Sequence, residues 1–170
     1  MEFTEVIQNR FSCKRYDGRP VEREKLEAIL KAAQAAPTAK NLQEHHIYIV
    51  ESAEALEKLD ECTPCRYGAE TVAIVTYDKN RVFTYPGEKL DSGMEDGAIV
   101  ATHMLLAAAN EGVDSCWINR FDPEQVSHAF DLPENEVVFM LLDLGYRAEG
   151  TGPLENHFKR RELSETVTYL

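Results

Sequence analysis

Apolar residues recur along this chain with two periods, and the switches between them mark out its elements. Phe3, Val6 and Ile7 share one face of a short amino-terminal helix that Thr4 is placed to cap. Leu26, Ile29, Leu30 and Ala33 give residues 21–36 the stripe of a strong amphipathic helix, stopped by Pro37. Residues 47–50 read as a short strand, and Ser52 then opens a helix carrying Leu56 and Leu59. Residues 71–77 are largely apolar, as in a strand buried on both faces. Residues 78–91 read as loop, with Pro86-Gly87 as a turn signal. Ser92-Gly93-Met94-Glu95 has the capping-box pattern, and the helix it starts is apolar nearly all round until Gly112. Such a helix belongs at the centre of a protomer or between protomers. Residues 115–118 form a further strand. At Asp122-Pro123-Glu124-Gln125 the Asp caps a helix, the Pro sits in its first turn and the Gln closes the box. Residues 137–144 form an apolar strand ending at Gly145.

Beyond Gly145 the periodicity fails. The chain turns polar, then basic, and finishes Thr166-Val167-Thr168-Tyr169-Leu170. A tail of this kind buries little within its own protomer. The alternation of Val167 and Tyr169 predicts an edge strand, or a segment wrapped around a partner subunit. Helices and strands mixed without strict alternation predict an α+β sandwich around a mostly antiparallel sheet. With 170 residues, 44% of them apolar, the chain reads as one domain, 1–170, or one protomer of an oligomer. There is no repeat and no linker rich in Gly, Pro or Ser to divide it.

Charge sharpens this picture. Eighteen basic against thirty acidic side chains give a net charge of -12, which disfavours nucleic acid and anionic membrane as partners. Against that background two basic clusters stand out: Arg10-Phe11-Ser12-Cys13-Lys14-Arg15 near the start and Lys159-Arg160-Arg161 near the end. Arg15 and Arg19 read as ordinary solvated charges. A phosphate monoester suits the two clusters, because a dianion takes charge-assisted bonds from Lys, Arg and a Ser hydroxyl. The polar loop Ala36-Pro37-Thr38-Ala39-Lys40-Asn41-Leu42-Gln43 follows a helix, as do loops that contact flat heterocycles. Together these features point to a nucleotide-like cofactor, with FMN the most economical candidate. Residues 1–5 carry acid where a secretion signal carries base, so a cytoplasmic setting is expected, in which four cysteines stay reduced.

These motifs resemble those of the FMN-dependent nitroreductases. Asn9-Arg10-Phe11-Ser12-Cys13-Lys14-Arg15-Tyr16 is similar to the family's Arg-x-Ser-x-Arg/Lys opening, and the 36–43 loop to its Pro-Ser-x-x-Asn-x-Gln loop. Arg120-Phe121-Asp122 resembles the Gly-Phe-Asp segment after the central helix and strand. Leu144-Gly145-Tyr146 and Lys159-Arg160-Arg161 resemble the closing segments. The resemblance implies an α-β-α sandwich in an obligate homodimer with exchanged carboxy-terminal tails and two FMN sites at the interface. It implies that Arg10, Ser12, Lys159 and Arg161 hold the phosphate, with Phe11 between them in sequence and Arg160 an alternative to its neighbours. Lys14 would lie near the N1–O2 edge of the isoalloxazine, where a cation raises the reduction potential. Pro37, Thr38, Ala39 and Asn41 would contact the flavin from the other subunit, and the amides of Asn119 and Arg120 would approach N5 and O4. The implied activity takes hydride from NAD(P)H and reduces nitroaromatic, quinone or similar electron-poor acceptors by a ping-pong mechanism. No side chain acts as nucleophile. The alternatives are a specialised branch (a reductive dehalogenase or a flavin-fragmenting enzyme) and a flavin-binding protein without turnover.

Two departures from the family pattern stand out. Gln43-Glu44-His45-His46 stands where the family often has Gln-Pro-Trp, and Arg120 replaces a common Gly. Cys62-Thr63-Pro64-Cys65 has dithiol spacing but lacks the second Cys pair of a zinc site and the βαβ pattern of a thioredoxin, so it reads as a turn at a helix end. By its place in the pattern this loop, through Arg66 and Tyr67, lies near the pyrimidine edge of the flavin. His45 and His46 are adjacent and would point to opposite faces of a strand, which disfavours shared chelation. His103 and Trp117 read as core or interface residues, and His157 stands just before the basic tail. No Ser-His-Asp order and no phosphate-binding Gly loop supports a hydrolase or an NTPase.

Overall fold

The structure, a computed structural model, describes residues 2–170. Its centre is a four-stranded sheet in the order β1-β2-β4-β3. The strands are β1 (His45–Val50), β2 (Thr71–Asp78), β3 (Asp114–Ile118) and β4 (Glu136–Gly145). Every pair is antiparallel. The central strands β2 and β4 are the most apolar, as strands covered on both faces require.

Alternation along them feeds two cores. Ala73, Val75, Met140, Leu142 and Leu144 face α2 (Arg23–Gln34) and α4 (Gly93–Asn110). Val72, Ile74, Val138 and Leu141 face α3 (Ala53–Cys62), α5 (Pro123–Ala129) and the segment around Phe11, Cys13 and Tyr16. A register shift between Val75 and Thr76 sets the phase of the two halves of β4 apart. The result is the expected α-β-α sandwich.

Several local expectations need correction. The first helix, α1 (Phe3–Asn9), is capped at Glu2, whose N–H donates to Glu5 Oε2 at 3.1 Å; Thr4 lies inside the helix. The long helix begins at Arg23 and ends at Gln34, inside the 21–36 stripe, with Val21 packing from the extended segment before it. Ser92 does not form a capping box. Its hydroxyl accepts Phe83 N–H at 3.1 Å, Asp91 Oδ1 accepts Gly93 N–H at 2.9 Å, and Glu95 turns away to the Tyr85 hydroxyl. Asp122 does cap α5, accepting from Glu124 N–H at 2.9 Å, but the Gln125 amide donates to Glu61 O instead of closing a box. The tail carries no strand. It forms a 3-10 turn at Glu155–Phe158 and the short helix α6 (Leu163–Thr166), and Val167 and Tyr169 stay exposed. The turn at Cys62 to Cys65 is as expected, with α3 ending at Cys62.

Candidate cofactor site

The segment 10–16 runs extended along the edge of the sheet. Ser12 forms an isolated parallel bridge to Ser115, and Cys13 N–H donates to Ser115 O at 2.9 Å. Alternation buries Phe11 and Cys13 and turns Ser12 and Lys14 outward; it breaks at exposed Arg15, after which Tyr16 is buried. Ser12 and Lys14 line a pocket of about 200 Å³ with Leu154, Asn156 and His157. Beneath it the Phe11 ring lies 4.8 Å from the Arg147 guanidinium and edge-on to His157 at 6.5 Å, so only its backbone faces outward.

Lys14 Nζ donates to the Tyr67 hydroxyl at 3.2 Å and lies 4.8 Å from the centre of its ring. Burial pulls the Lys14 ammonium down, but the Tyr67 hydroxyl and the nearby Cys116 and Cys65 thiols outweigh it and hold the group above its ordinary value. Lys14 has no carboxylate partner among the described residues. Tyr67 itself sits at φ 53°, a left-handed conformation that a bulky residue rarely adopts. The turn after α3 ties this corner to the exit of β3: the Thr63 hydroxyl donates to Arg120 O at 2.8 Å and accepts Cys65 N–H at 3.2 Å. Trp117 Nε1–H fixes Asn119 Oδ1 at 2.7 Å. Ser12, Lys14, Asn119 and Arg120 thus belong to one connected corner. Arg10 is half-buried beside it, lining a small cleft with Ser115, whose buried hydroxyl has no partner.

The loop holding Pro37, Thr38, Ala39 and Asn41 is built separately, against the start of α4. Lys40, Asn41 and Gln43 all have positive φ, at 52°, 56° and 51°. Left-handed residues other than glycine cost about 1–2 kcal/mol each, so this loop is held from outside. Ala39 N–H donates to Asp96 Oδ1 at 2.9 Å, Gln43 N–H to Thr38 Oγ1 at 3.1 Å, and Arg81 Nη2 to Leu42 O at 3.3 Å.

The tail cations stay local. Lys159 pairs with Glu155 and Arg161 with Glu165, each at 3.5 Å, and the Arg160 guanidinium donates to the carbonyls of His157 and Lys159. Within one chain no hydrogen bond or ion pair among the described residues joins Lys159 or Arg161 to Arg10 or Ser12. Arg15 and Arg19 are exposed yet engaged: Arg15 holds Thr151 Oγ1 at 3.2 Å, and Arg19 pairs with Asp17 at 2.8 Å. His46 Nδ1–H donates to Glu136 Oε1 at 2.9 Å, while His45 Nδ1 is buried without a partner. His103 Nδ1 bonds Ile99 O at 2.9 Å, a satisfied helix residue as expected.

Asp143 is a further acid, buried behind this corner. It is 1% exposed, and its Oδ2 has no partner. Burial pushes its carboxyl well above the ordinary range, opposed by the Arg66 and Lys14 charges. Burial, then Asp143, push the neighbouring Cys116 thiol up to about 11. Protonated buried thiols are poor nucleophiles. The signal was in the chain: Asp143 is the lone charge in an otherwise apolar strand run.

The Nitroreductase family profile matches residues 7–63 and 64–146. A protein of Archaeoglobus fulgidus, provisionally named as NADH dehydrogenase/NAD(P)H nitroreductase, is 33% identical over 153 residues, 85% of this chain and 85% of its own. A counterpart in Methanothermobacter thermautotrophicus is 31% identical, over 89% of this chain and 81% of its own. The crystal structure of a nitroreductase family protein from Clostridium difficile superposes with a TM-score of 0.92 at 35% identity, covering 99% of this chain and 98% of that one. The chain belongs to the nitroreductase family.

Proposed function

We propose that this chain is an FMN-dependent oxidoreductase that takes hydride from NAD(P)H and reduces nitroaromatic, quinone or similar electron-poor acceptors by a ping-pong mechanism. The observation that carries this reading is the corner at Lys14: an outward cation without a carboxylate partner among the described residues, bonded to the Tyr67 hydroxyl and lining a pocket with Ser12. Such a donor set fits an anionic, hydrogen-bonding cofactor edge. Support also comes from a nitroreductase of Exiguobacterium sibiricum, solved in complex with FMN, that shares this fold with a TM-score of 0.84 at 19% identity.

In this reading Arg10 and Ser12 take the phosphate, together with Lys159 and Arg161. Lys14 presents its ammonium to the N1–O2 edge, held there by Tyr67. The amides at Asn119 and Arg120 face N5 and O4, and the bond from Thr63 to Arg120 O sets their orientation. Pro37, Thr38, Ala39 and Asn41 cover the ring of a site in the partner subunit. The chemistry that FMN supplies when bound is hydride uptake from NAD(P)H and delivery to the acceptor. The protein's part is to bind, orient and supply positive charge. The 79–92 segment contains no helix, which favours this reading over branches that carry a helical lid.

The test is direct. Purified protein should carry a yellow chromophore that NADH or NADPH bleaches without oxygen and that a nitroaromatic or quinone restores. Bound FMN that neither donor reduces would make the chain a flavin carrier; a colourless protein that takes up no added FMN would end the flavin reading.

A further inference from the structure

Glu44 precedes β1, and Asp96 lies in the first turn of α4. Both are almost fully buried, at 3% and 2% exposed, and their carboxylates lie against each other beside Ser92, whose hydroxyl faces Glu44 and whose carbonyl accepts Asp96 N–H at 2.8 Å. Each also reaches outward. Asp96 Oδ1 accepts Ala39 N–H at 2.9 Å, and Glu44 Oε1 lies 3.5 Å from the donating Ser92 hydroxyl. The remaining oxygens, Glu44 Oε2 and Asp96 Oδ2, are buried and lack any donor. Two carboxylates in contact inside a low-dielectric core cannot both stay ionised. One proton held between them gives the bare oxygens the donor they lack.

What the pair grips is the 38–43 loop with its three left-handed residues. Asp96 holds the loop's Ala39 amide, while Glu44 is the residue that leaves the loop and whose own carbonyl accepts Asp78 N–H at 2.9 Å. Ser92 connects the pair to the 79–92 segment through Phe83 N–H.

The geometry points to a positioning role: Glu44 and Asp96 form a proton-sharing pair that fixes the 38–43 loop in its cofactor-contacting form, and ionisation of the pair loosens the loop. This rests on the FMN reading above. Burial, then the contact with Asp96, push Glu44 up to about 7. A carboxyl raised on folding stabilises below its unfolded value, and that contribution fades as pH rises through the folded one. The titratable groups around the pair are His45 on β1, itself lowered by burial, Tyr85 from the 79–92 segment, Tyr77 on β2, and Asp91 and Glu95 at the start of α4. No cation pairs with either carboxylate among the described residues.

Two measurements on the intact protein test this. In the apoprotein, carbon-13 NMR of the side-chain carboxyls should show a titration near neutrality in the wild type that Glu44→Gln lacks, while the raised carboxyl of Asp143 stays in both proteins. The FMN dissociation constant should then weaken about tenfold more in the wild type than in Glu44→Gln between about pH 5.5 and pH 8.5. Gln keeps a donor for Asp96 but cannot ionise. The second ionisation of the FMN phosphate, with a pKa of about 6, acts equally on both proteins and cancels in the ratio. Asp96→Asn, which still accepts from Ala39, should flatten the profile in the same way and serves if Glu44→Gln fails to fold. Absence of a carboxyl titration near neutrality that is lost in Glu44→Gln overturns the shared proton. Parallel affinity profiles overturn the positioning role. Absence of FMN uptake by the wild type at either pH overturns the proposed function, and the positioning role with it, whatever the NMR shows.

Discussion

Asp143 sits in β4 between Leu142 and Leu144, opposite Cys116 in register, with the Tyr16 hydroxyl on its carbonyl and a bare Oδ2. Its neutral form is favoured in the folded chain, whereas an unfolded Asp titrates near about 3.9. The sign follows. The wild type is at its best relative to a neutral isostere below that value, and loses ground as pH rises, by up to about 1.4 kcal/mol per pH unit. Asp143→Asn should therefore match the wild type in thermal stability near about pH 4 and exceed it near about pH 8. Parallel melting curves across that range would mean that Asp143 ionises freely in the fold. The basic cluster holding Ser12 and Lys14 was legible from residue type alone, and the extended run that turns both outward is local. Asp143, and the contact of Asp96 with Ala39, were not: each depends on a partner brought close by the sheet or by α4, far away in sequence.

At the scale of elements, α4 shows how closely a helix can lie on a sheet. A Cβ at Gly93 would stand 2.3 Å from the Tyr77 ring, and one at Gly97 2.5 Å from that of Phe139. The Phe139 ring cannot swing aside freely, for it is held edge-on to Trp117 at 6.2 Å and tilted against Tyr77 at 6.5 Å. Gly97→Ala would gain about 1 kcal/mol of helix propensity and lose about 1–3 kcal/mol to overpacking. The expected outcome is a net fall in the denaturation midpoint with little change in slope, while Ala at exposed Gly112, whose φ is +70°, would be strained without a clash. A higher midpoint for Gly97→Ala would show that the aromatic cluster yields at no cost. Element types were readable because the apolar stripes of α2 and α4 and the runs of β2 and β4 are long. Caps were less readable. Ser92 has the right neighbours for a box, but tertiary partners, Phe83 and Glu44, claim its hydroxyl. In the tail, Glu162 and Glu165 exchange hydrogen bonds that wind residues 163–166 into a helical turn, and this local pairing overrides the alternation of Val167 and Tyr169.

At the scale of the molecule, the apolar surface left in water is concentrated at the ends of the chain and the start of α4. Phe3, Met94, Phe158 and Leu163 are each more than 60% exposed, at 67%, 63%, 70% and 77%. An isolated protomer gains nothing by presenting these side chains, and a second copy of the chain is the partner the family resemblance implies. Among the described residues, the hydrogen bonds and ion pairs made by residues 159–170 reach no further back than Glu155. The tail therefore contributes little to the stability of its own protomer, and its cations remain free to re-pair. Ending the chain at Phe158 should leave the fold of the protomer itself intact, as read by its far-ultraviolet circular dichroism. FMN affinity should fall by about 1.5–3 kcal/mol for each charge-assisted bond lost with Lys159 and Arg161. Added salt should separate the two effects. It screens the repulsion between protomers of net charge -12 and so favours association, while it weakens the hold of Arg10, Lys159 and Arg161 on a phosphate. Sedimentation and flavin titration on the same samples read both. If the shortened chain bound FMN as tightly as the whole one, Lys159 and Arg161 would lie outside the phosphate site, and Arg10 and Ser12 would have to hold the dianion alone.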